Sequence, residues 1–318
     1  MWKQCPRCKA LYQTDAGRCP LDGADLTAAA DPRVGALVGA HYRLVRPLGY
    51  GSTAAVYHAR HEASGRDVAL KLLDPRYAAT AASKTRFLDE ARASNLLRHR
   101  NIVDVTDSGV DGDNLYLVME LLDGESLHER LARGPVAPAE ALEAAIDVAS
   151  ALARAHEAGV IHRDIKPANI FLCARSPRVR VLDFGLAQMH RDQKLSITGQ
   201  IFGTPAYMAP EQVLGERCTP ASDLYSLGVT LFEMLTAQMP FTGAVIDVML
   251  DRTRLDAPRV CALSRELTPE VDAVVARLLA RAPAARPRDA RQVAVELRRA
   301  LDALPPDAAR AEAPLRSD

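Results

Sequence analysis

The residues most informative about the fold lie in IHRDIKPANIF, at residues 161–171, and in VRVLDFGLA, at residues 179–187. Two carboxylates, an amide and an ammonium lie in short turns beside apolar runs, at Asp164, Asp183, Asn169 and Lys166. Phosphoryl transfer needs such a set: oxygen ligands for a metal ion, a group that orients a hydroxyl and accepts its proton, and a cation for the migrating charge. Polar side chains that only satisfy loop backbone would account for one of these residues but not for all four.

Upstream, the sequence GYGSTAAV at residues 49–56 lies between two strand-like runs. Glycines let backbone N–H groups approach phosphate oxygens, although a glycine turn in a hairpin is by itself more often only a turn. Lys71 lies inside the apolar strand VALKLL, where its ammonium must either reach solvent or meet an anion. A phosphate steadied by a carboxylate fits the second alternative, and Glu90 on the following helical stretch is the candidate carboxylate.

These motifs, in this order, resemble the eukaryotic-type protein kinase catalytic domain of the bacterial Ser/Thr class, from about Tyr42 to Leu304. The resemblance implies an α+β, bilobal protein kinase fold with a small N-lobe, made of an antiparallel sheet and one long helix, and a mainly helical C-lobe. The predicted boundaries are a Cys module at 1–26, a linker at 27–40, a kinase domain at 41–304 and a disordered tail at 305–318. Within the kinase domain, the N-lobe is predicted at 41–120 and the C-lobe at 124–304.

The resemblance also implies a role for each matching position. Asp164 is the expected catalytic base, Lys166 contacts the γ-phosphate, and Asn169 and Asp183 hold magnesium or manganese. Lys71 with its partner Glu90 binds the ATP phosphates. Further ATP contacts are expected from the glycine-rich loop, the strands and the hinge, at Leu48, Gly49, Gly51, Val56, Ala69, Met119, Glu120 and Leu122. Ala54 stands where the family has its third glycine, and we expect at most a modest effect on nucleotide affinity.

Arg163, next to the base, resembles the arginine of kinases whose activation segment is ordered by a phosphate. Autophosphorylation at Thr198, with Ser196 as the second acceptor, is expected to supply that phosphate, unless both are ordinary polar loop residues. Thr204 is expected to line the site beside the acceptor hydroxyl. One rival interpretation is an ATP-binding, pseudokinase-like scaffold that acts through the N-terminal Cys module, but the lysine, the base and the metal aspartate are all retained. The other is a zinc-dependent binding protein whose kinase domain is secondary.

Three residues outside the chemistry are implied to be structural. Glu211 and Arg286 resemble the buried ion pair of the family, and Asp223 resembles the anchor on its central helix. Loss of any of them is expected to lower stability along with activity. Local patterns predict two helix ends. One helix ends before Gly159, and another begins at Pro269 with Thr268 as its N-cap.

The N-terminus carries the pattern Cys5-x2-Cys8-x10-Cys19-x2-Asp22. Two short-spaced pairs, each with a proline after its first cysteine, resemble the two knuckles of a zinc ribbon, and Asp22 can ligate zinc through oxygen. A module of this size has too little core to fold without a staple, which favours a metal. Two alternatives stay open: a mini-module with free thiols, and a redox pair at Cys5 and Cys8.

Charge and composition limit the classes of partner that this protein is expected to bind. Lys plus Arg and Asp plus Glu both number 40, so no basic excess favours nucleic acid, and the cations of the Cys module lack interleaved aromatic platforms. No apolar stretch is free enough of charge to be a membrane span, and no signal-peptide pattern is present, so a cytoplasmic location is expected. Protein substrates are expected, with regulatory input through a docking partner at residues 1–26 or a dimer contact.

Overall fold

A computed structural model describes residues 2–13, 16–51, 54–73, 84–85, 87, 91, 97–112, 114–184, 205–264 and 266–305. The chain divides into two compact units. The first contains Met1–Ala91 and Asp104–Leu122, and the second contains Arg92–Val103 and Asp123–Asp318. The Cys module therefore shares a unit with the glycine-rich hairpin.

The first unit contains two antiparallel sheets. The smaller sheet, of order β2-β1-β3, belongs to the Cys module, and the larger sheet has the order β4-β5-β6-β7-β9-β8. The strands are β1 (Trp2–Gln4), β2 (Leu11–Gln13), β3 (Thr27–Ala28), β4 (Leu37–Val38), β5 (Tyr42–Tyr50), β6 (Ala54–His61), β7 (Asp67–Leu73), β8 (Val105–Asp111) and β9 (Asn114–Glu120). The meander predicted for β5, β6 and β7 is confirmed.

The two faces of the six-stranded sheet differ in what covers them. Opposed residues of antiparallel strands share a face, so the pairing of Tyr57 with Leu70 and of Leu70 with Val118 defines one buried face. All three side chains are fully buried there, and Tyr42 and Val38 belong to the same apolar cluster. We call this surface the Tyr57 face. The opposite surface, the Lys71 face, carries Lys71 and its cross-strand neighbours.

The second unit is mainly helical, with one small sheet of order β10-β11-β12. Its strands are β10 (Gly124–Ser126), β11 (Ile170–Cys173) and β12 (Val179–Val181). Its helices are α1 (Leu127–Leu131), α2 (Pro138–Glu157), α3 (Pro210–Val213), α4 (Pro220–Thr236), α5 (Val245–Arg254), α6 (Pro269–Leu278) and α7 (Ala290–Asp302). Short 3-10 turns lie at Pro167–Asn169, Pro205–Tyr207, Val260–Ala262 and Pro283–Ala285.

Apolar stripes of four helices form the core of the second unit. Leu152 of α2, Phe232 of α4, Val271 of α6 and Leu297 of α7 are all fully buried in one cluster. The helix ends follow the sequence signals, since Gly159 takes a φ of 77° just beyond α2 and Thr268 Oγ1 accepts a hydrogen bond at the start of α6. These two predictions are confirmed.

Residues 27–40, predicted as a linker, are ordered. They contribute β3 to the sheet of the Cys module and β4 to the edge of the larger sheet. No alternation of polar and apolar residues predicts these strands, because each is only two residues long and is stabilised by pairing with a neighbouring strand. Most of the predicted long helix near residues 81–99 lies outside the described residues, but residues 84, 85, 87 and 91 are helical.

The predicted ion pair between Glu211 and Arg286 is confirmed. The guanidinium donates to both carboxylate oxygens, at 2.7 Å and 2.8 Å, and its side chain is fully buried. Burial alone would raise the pKa of Glu211, but the hydrogen bonds and charge of Arg286 hold that pKa below its ordinary value. Arg286 also donates to the carbonyl oxygens of Ala221, Ala280 and Arg281, so it joins α4 to the segment before α7.

Among the described residues, no helix combines the length and the apolar character needed to cross a bilayer.

Arg286→Ala is expected to lower the free energy of unfolding of the second unit by about 3–5 kcal/mol, because it leaves the Glu211 carboxylate buried without its cation. The matched control is Arg133→Ala, which breaks a pair with Glu125 that has the same two-pronged geometry but side chains 58% and 35% exposed. That control should cost at most about 1 kcal/mol. Urea unfolding would measure both, and equal losses would contradict the assigned role of the buried pair.

Candidate active site

The backbone of the HRD turn, residues 162–164, is hydrogen-bonded to the carboxylate of Asp223 on α4. Asp223 is fully buried and accepts the backbone N–H groups of His162 at 2.9 Å and Arg163 at 2.7 Å. The imidazole of His156 lies 2.8 Å from the same carboxylate. Asp223 thus acts on the backbone of the turn, as expected for an anchor.

His162 connects this turn to the strand-end segment that carries Asp183. Its Nε2 lies 2.8 Å from the carbonyl oxygen of Leu182, and its Nδ1 accepts the backbone N–H of Asp164 at 3.3 Å. The carbonyl can only accept, so Nε2 carries the proton and the neutral tautomer is fixed. The ring also packs edge-on against Phe184, with centroids 4.6 Å apart. His162 therefore links the HRD turn to the segment that carries Asp183.

Three of the predicted catalytic residues come together in the second unit. The amide nitrogen of Asn169 donates to the Asp164 carboxylate oxygen Oδ2 at 3.0 Å and to the Asp164 backbone carbonyl at 2.8 Å. The ammonium of Lys166 lies 2.8 Å from the same Oδ2. Asn169 is the last residue of the 3-10 turn Pro167–Asn169, in which proline fixes the first residue, and β11 begins at the next position.

Two residues next to this cluster in the motifs occupy left-handed backbone conformations that non-glycine residues rarely adopt. Arg163 has a φ of 67° and Asp183 a φ of 62°. Such conformations cost of the order of 1 kcal/mol or more and persist only where the surroundings hold them in place. Here the Asp223 and His162 hydrogen bonds supply that support, and strained backbone of this kind concentrates at functional sites.

Arg163 carries a buried polar atom that the described residues leave unsatisfied. Its Nε has no hydrogen-bond partner in the part of the chain that the structure describes. Arg163 directly precedes Asp164 in the sequence, and the backbone carbonyl of Arg163 accepts a hydrogen bond from Gln212 at 3.1 Å. A buried, always charged donor without an acceptor is costly, so this position suits an anion.

The Lys71 face of the first unit gathers the predicted nucleotide-binding side chains of that unit. Lys71 on β7 stands opposite Val56 on β6, Ala69 stands opposite Met119 on β9, and opposed residues share a face. Val56 is in turn opposite Gly49. Strand pairing thus aligns a lysine, small and apolar side chains, and the glycine hairpin on one surface.

The remaining residues predicted to contact nucleotide have simple placements. Leu48 lies in an irregularity of β5 between the pairs made by Pro47 and Gly49, and it is 41% exposed. Gly51 closes the hairpin through a 2.8 Å hydrogen bond from its N–H to the Ala54 carbonyl. Glu120 ends β9, and its carboxylate accepts the N–H of Asp104 at 2.8 Å. Leu122 is partly buried.

Four predicted residues lie outside the described part of the chain. They are Glu90, Ser196, Thr198 and Thr204.

The Cys module contains two knuckles with the same hydrogen-bond pattern, CPRCKA at residues 5–10 and CPLDGA at residues 19–24. In each, the first N–H donates to the sixth carbonyl, at 3.0 Å and 2.8 Å, and the fifth N–H donates to the first carbonyl, at 3.0 Å and 2.9 Å. The fifth residue is left-handed in both, with φ of 65° and 71°. The aspartate at residue 22 therefore occupies the position that Cys8 has in the first knuckle.

The four side chains of these knuckles converge. One donor atom from each of Cys5, Cys8, Cys19 and Asp22 lies within 4.8 Å of all the others. The sulfurs of Cys8 and Cys19 are 3.7 Å apart, and Cys5 Sγ is 3.4 Å and 3.5 Å from the Asp22 oxygens. Tetrahedral zinc with its usual bond lengths would separate two sulfurs by about 3.8 Å, and a sulfur and an oxygen by about 3.5 Å. The residues fit a zinc ion.

Several buried polar contacts around these sites have no signal in the sequence. Asp31 lies in the segment predicted as a linker, and Tyr50, Tyr57 and His156 match no motif. Their polar atoms matter only through partners distant in the chain, such as the 2.6 Å hydrogen bond from Tyr57 to Asp31. A polar residue in an Ala-rich segment gives no local signal of such a partner.

Comparison with known proteins agrees with this geometry. The family model for the protein kinase domain matches residues 42–296. The serine/threonine-protein kinase PknL of Mycobacterium tuberculosis is 40% identical over 269 residues, covering 84% of this chain and 67% of PknL. PrkC of Bacillus subtilis is 34% identical over 272 residues, covering 85% of this chain and 42% of PrkC.

Solved structures give the same result for the fold. The kinase domain of M. tuberculosis PknI matches with a TM-score of 0.68 and 29% sequence identity, covering 86% of this chain and all of that domain. The predicted protein kinase fold is therefore confirmed. The chain belongs to the protein kinase family, and its relatives place it among the bacterial serine/threonine protein kinases.

Proposed function

We propose that this kinase transfers the γ-phosphoryl group of ATP to Ser and Thr hydroxyls of protein substrates, with Asp164 as the catalytic base. The observation that carries the proposal is the cluster of Asp164, Lys166 and Asn169, mounted on a turn whose backbone is held by a buried carboxylate. Such rigidity suits a reaction in which positioning and charge stabilisation supply most of the rate.

The contacts on Asp164 divide its two oxygens. Asn169 and Lys166 both engage Oδ2. Oδ1 is therefore the atom that we assign to the substrate hydroxyl, which it would orient for in-line attack and from which it would take the proton. Lys166, next to this carboxylate, would neutralise charge on the transferred group.

Asn169 and Asp183 are the proposed ligands of a divalent cation, magnesium or manganese. The amide nitrogen of Asn169 is used by Asp164, which leaves its oxygen as the ligand atom, and a carboxylate and an amide oxygen suit a hard cation. When bound, the cation neutralises phosphate charge. Asp183 has a left-handed backbone, and the carbonyl of the preceding Leu182 is hydrogen-bonded to His162 of the HRD turn.

In the first unit, the Lys71 face is the proposed surface for ATP. Lys71 would bind phosphate oxygens, with Glu90 as its proposed partner, and Gly49 and Gly51 would offer backbone N–H groups. Val56, Ala69 and Met119 would contact the adenine with apolar surface, while the backbone at Glu120 and Leu122 would hydrogen-bond it. An ATP-binding scaffold without turnover is the second candidate function.

Asp164→Asn is expected to lower phosphate incorporation by a factor of about 10²–10⁴, because the amide cannot accept the hydroxyl proton. Intact mass after incubation with ATP and magnesium would measure it. Asp256→Asn is the matched control, since the Asp256 side chain is 84% exposed and far in sequence from the motifs. A wild-type protein that binds ATP but gains no phosphate would favour the scaffold instead.

We also propose that phosphorylation of Thr198, with Ser196 second, activates the kinase through Arg163. The support is the buried Arg163 Nε, which has no acceptor among the described residues and would gain one from a phosphate. A phosphate at this place would also neutralise a guanidinium adjacent to the base.

Thr198→Ala is expected to remove the main phosphosite and to lower the rate on an added protein substrate, whereas Thr268→Ala, at a helix cap remote in sequence, should leave the phosphosite intact. Peptide mapping and initial rates would measure this. Arg163→Gln should make the phosphorylated and unphosphorylated forms equally active. Active protein that carries phosphate at neither Thr198 nor Ser196 would contradict the proposal.

The Cys module is proposed to hold one structural zinc ion through Cys5, Cys8, Cys19 and Asp22. The support is the agreement of the donor distances with tetrahedral geometry and the equivalence of Asp22 to Cys8. We also propose that this module docks a protein partner. Regulatory input through a dimer contact and a cytoplasmic location are two further proposals. Leu21, at 75% exposure on the second knuckle, offers apolar surface for such a partner.

Purified protein is expected to contain one zinc ion per chain by elemental analysis. Asp22→Cys should keep the metal and resist chelators longer, because thiolate is a stronger zinc ligand than a carboxylate, and Asp22→Ala should lose it more readily. Asp25→Ala is the matched control, since the Asp25 side chain is 89% exposed. Metal-free wild-type protein with an intact module would contradict the zinc site.

A further inference from the structure

Asp31 is a charged side chain buried outside the matched kinase domain. Its side chain is only 1% exposed, and it precedes residue 42, where the family model begins. An isolated carboxylate is costly to bury, so its partners must compensate. Burial alone would raise the pKa of Asp31, but its hydrogen bonds hold that pKa below the ordinary value, which keeps the carboxylate charged at neutral pH.

Two tyrosines of the glycine-rich hairpin supply part of that compensation. The hydroxyl of Tyr57 on β6 donates to Asp31 Oδ2 at 2.6 Å, and the hydroxyl of Tyr50 donates to the same oxygen at 2.9 Å. Tyr50 is the last residue of β5 and lies between Gly49 and Gly51. One buried oxygen therefore ties together both strands of the hairpin, at the point where β5 enters the loop.

Asp31 and its neighbours also reach the Cys module. Asp31 Oδ1 accepts the backbone N–H of Arg33 at 2.9 Å and its Nε at 3.3 Å. The Arg33 guanidinium lies 5.3 Å from the ring centre of Trp2 on β1 and 5.2 Å from that of Tyr57. The strand just before Asp31, Thr27–Ala28, pairs with β1 as well. A continuous set of contacts thus runs from the Cys module to Tyr50.

We propose that Asp31 is a positioning residue for the glycine-rich loop and that the Cys module acts on nucleotide affinity through Asp31 and Arg33. This rests on the ATP-binding role proposed above for the Lys71 face. Asp31 works from the opposite, Tyr57 face, so it does not touch ATP. It fixes the entry of β5 into the loop, so that the backbone N–H groups near Gly51 are held in place before nucleotide binds.

Holding a loop in its binding conformation lowers the cost of binding, so its release should weaken ATP binding with little change in the chemical step. Tyr50→Phe removes one hydrogen bond to a charged acceptor and keeps the ring. It should raise the KM for ATP and the Kd for a fluorescent ADP analogue by about three- to tenfold, with kcat changed less than about twofold.

The matched control is Tyr42→Phe. Tyr42 lies at the other end of β5, and its hydroxyl donates to Asp107 at 2.8 Å, so the variant loses the same kind of tyrosine–carboxylate bond in the same unit. It should lower the melting temperature about as much as Tyr50→Phe, yet leave the KM and the Kd unchanged. If both variants weaken nucleotide binding equally, or neither does, the positioning role of Asp31 is wrong.

The link to the Cys module is tested with Trp2→Ala and the double variant. Trp2→Ala removes the ring that packs on Arg33 and should raise the same Kd about two- to threefold. In a Tyr50→Phe background that increase should disappear, because both changes act along one set of contacts. Additive effects would overturn the link. Wild-type protein that fails to bind the ADP analogue would overturn the proposed function itself, which is a separate outcome.

Discussion

The carboxylate of Asp223 fixes the backbone of the HRD turn, on which the candidate catalytic residue Asp164 lies. It is fully buried, and its oxygens accept the two backbone N–H groups that begin the HRD turn. A carboxylate in this position cannot be moved to solvent or left unpaired without a large cost, so the turn is held at its base. The left-handed Arg163 and the orientation of Asp164 follow from that attachment.

A buried carboxylate also holds neighbouring segments together in the first unit. Asp31 is likewise a buried carboxylate, but its donors are side-chain hydroxyls of the hairpin strands rather than backbone N–H groups. Because a sheet has two faces, the Tyr57 face can be covered by the N-terminal segment while the Lys71 face keeps its lysine and glycines. The proposed loop support and the proposed nucleotide surface therefore lie on opposite faces of one sheet.

The Cys module follows a simpler physical logic. Its short strands and turns bury little apolar surface, and the zinc ion proposed at the four converging donor atoms would provide the staple that such a size requires. The two knuckles repeat one backbone pattern, which is why an aspartate can stand where the first knuckle has a cysteine. Through β3 and Arg33, this module belongs to the same compact unit as the kinase strands.

Sequence patterns were enough to predict the strands around Lys71, the candidate catalytic set at Asp164 and the spacing of the cysteines, because each is a local pattern with a chemical requirement. The order of the kinase motifs predicted the fold through its resemblance to the family. The strand β4, the pairing of β3 and the buried hydrogen bonds of Asp31 could not be predicted, because they depend on residues far apart in the chain, such as Asp31 with Tyr50 and Tyr57. A buried hydrogen bond forms only where the fold brings both partners together, so these features are visible in the structure alone.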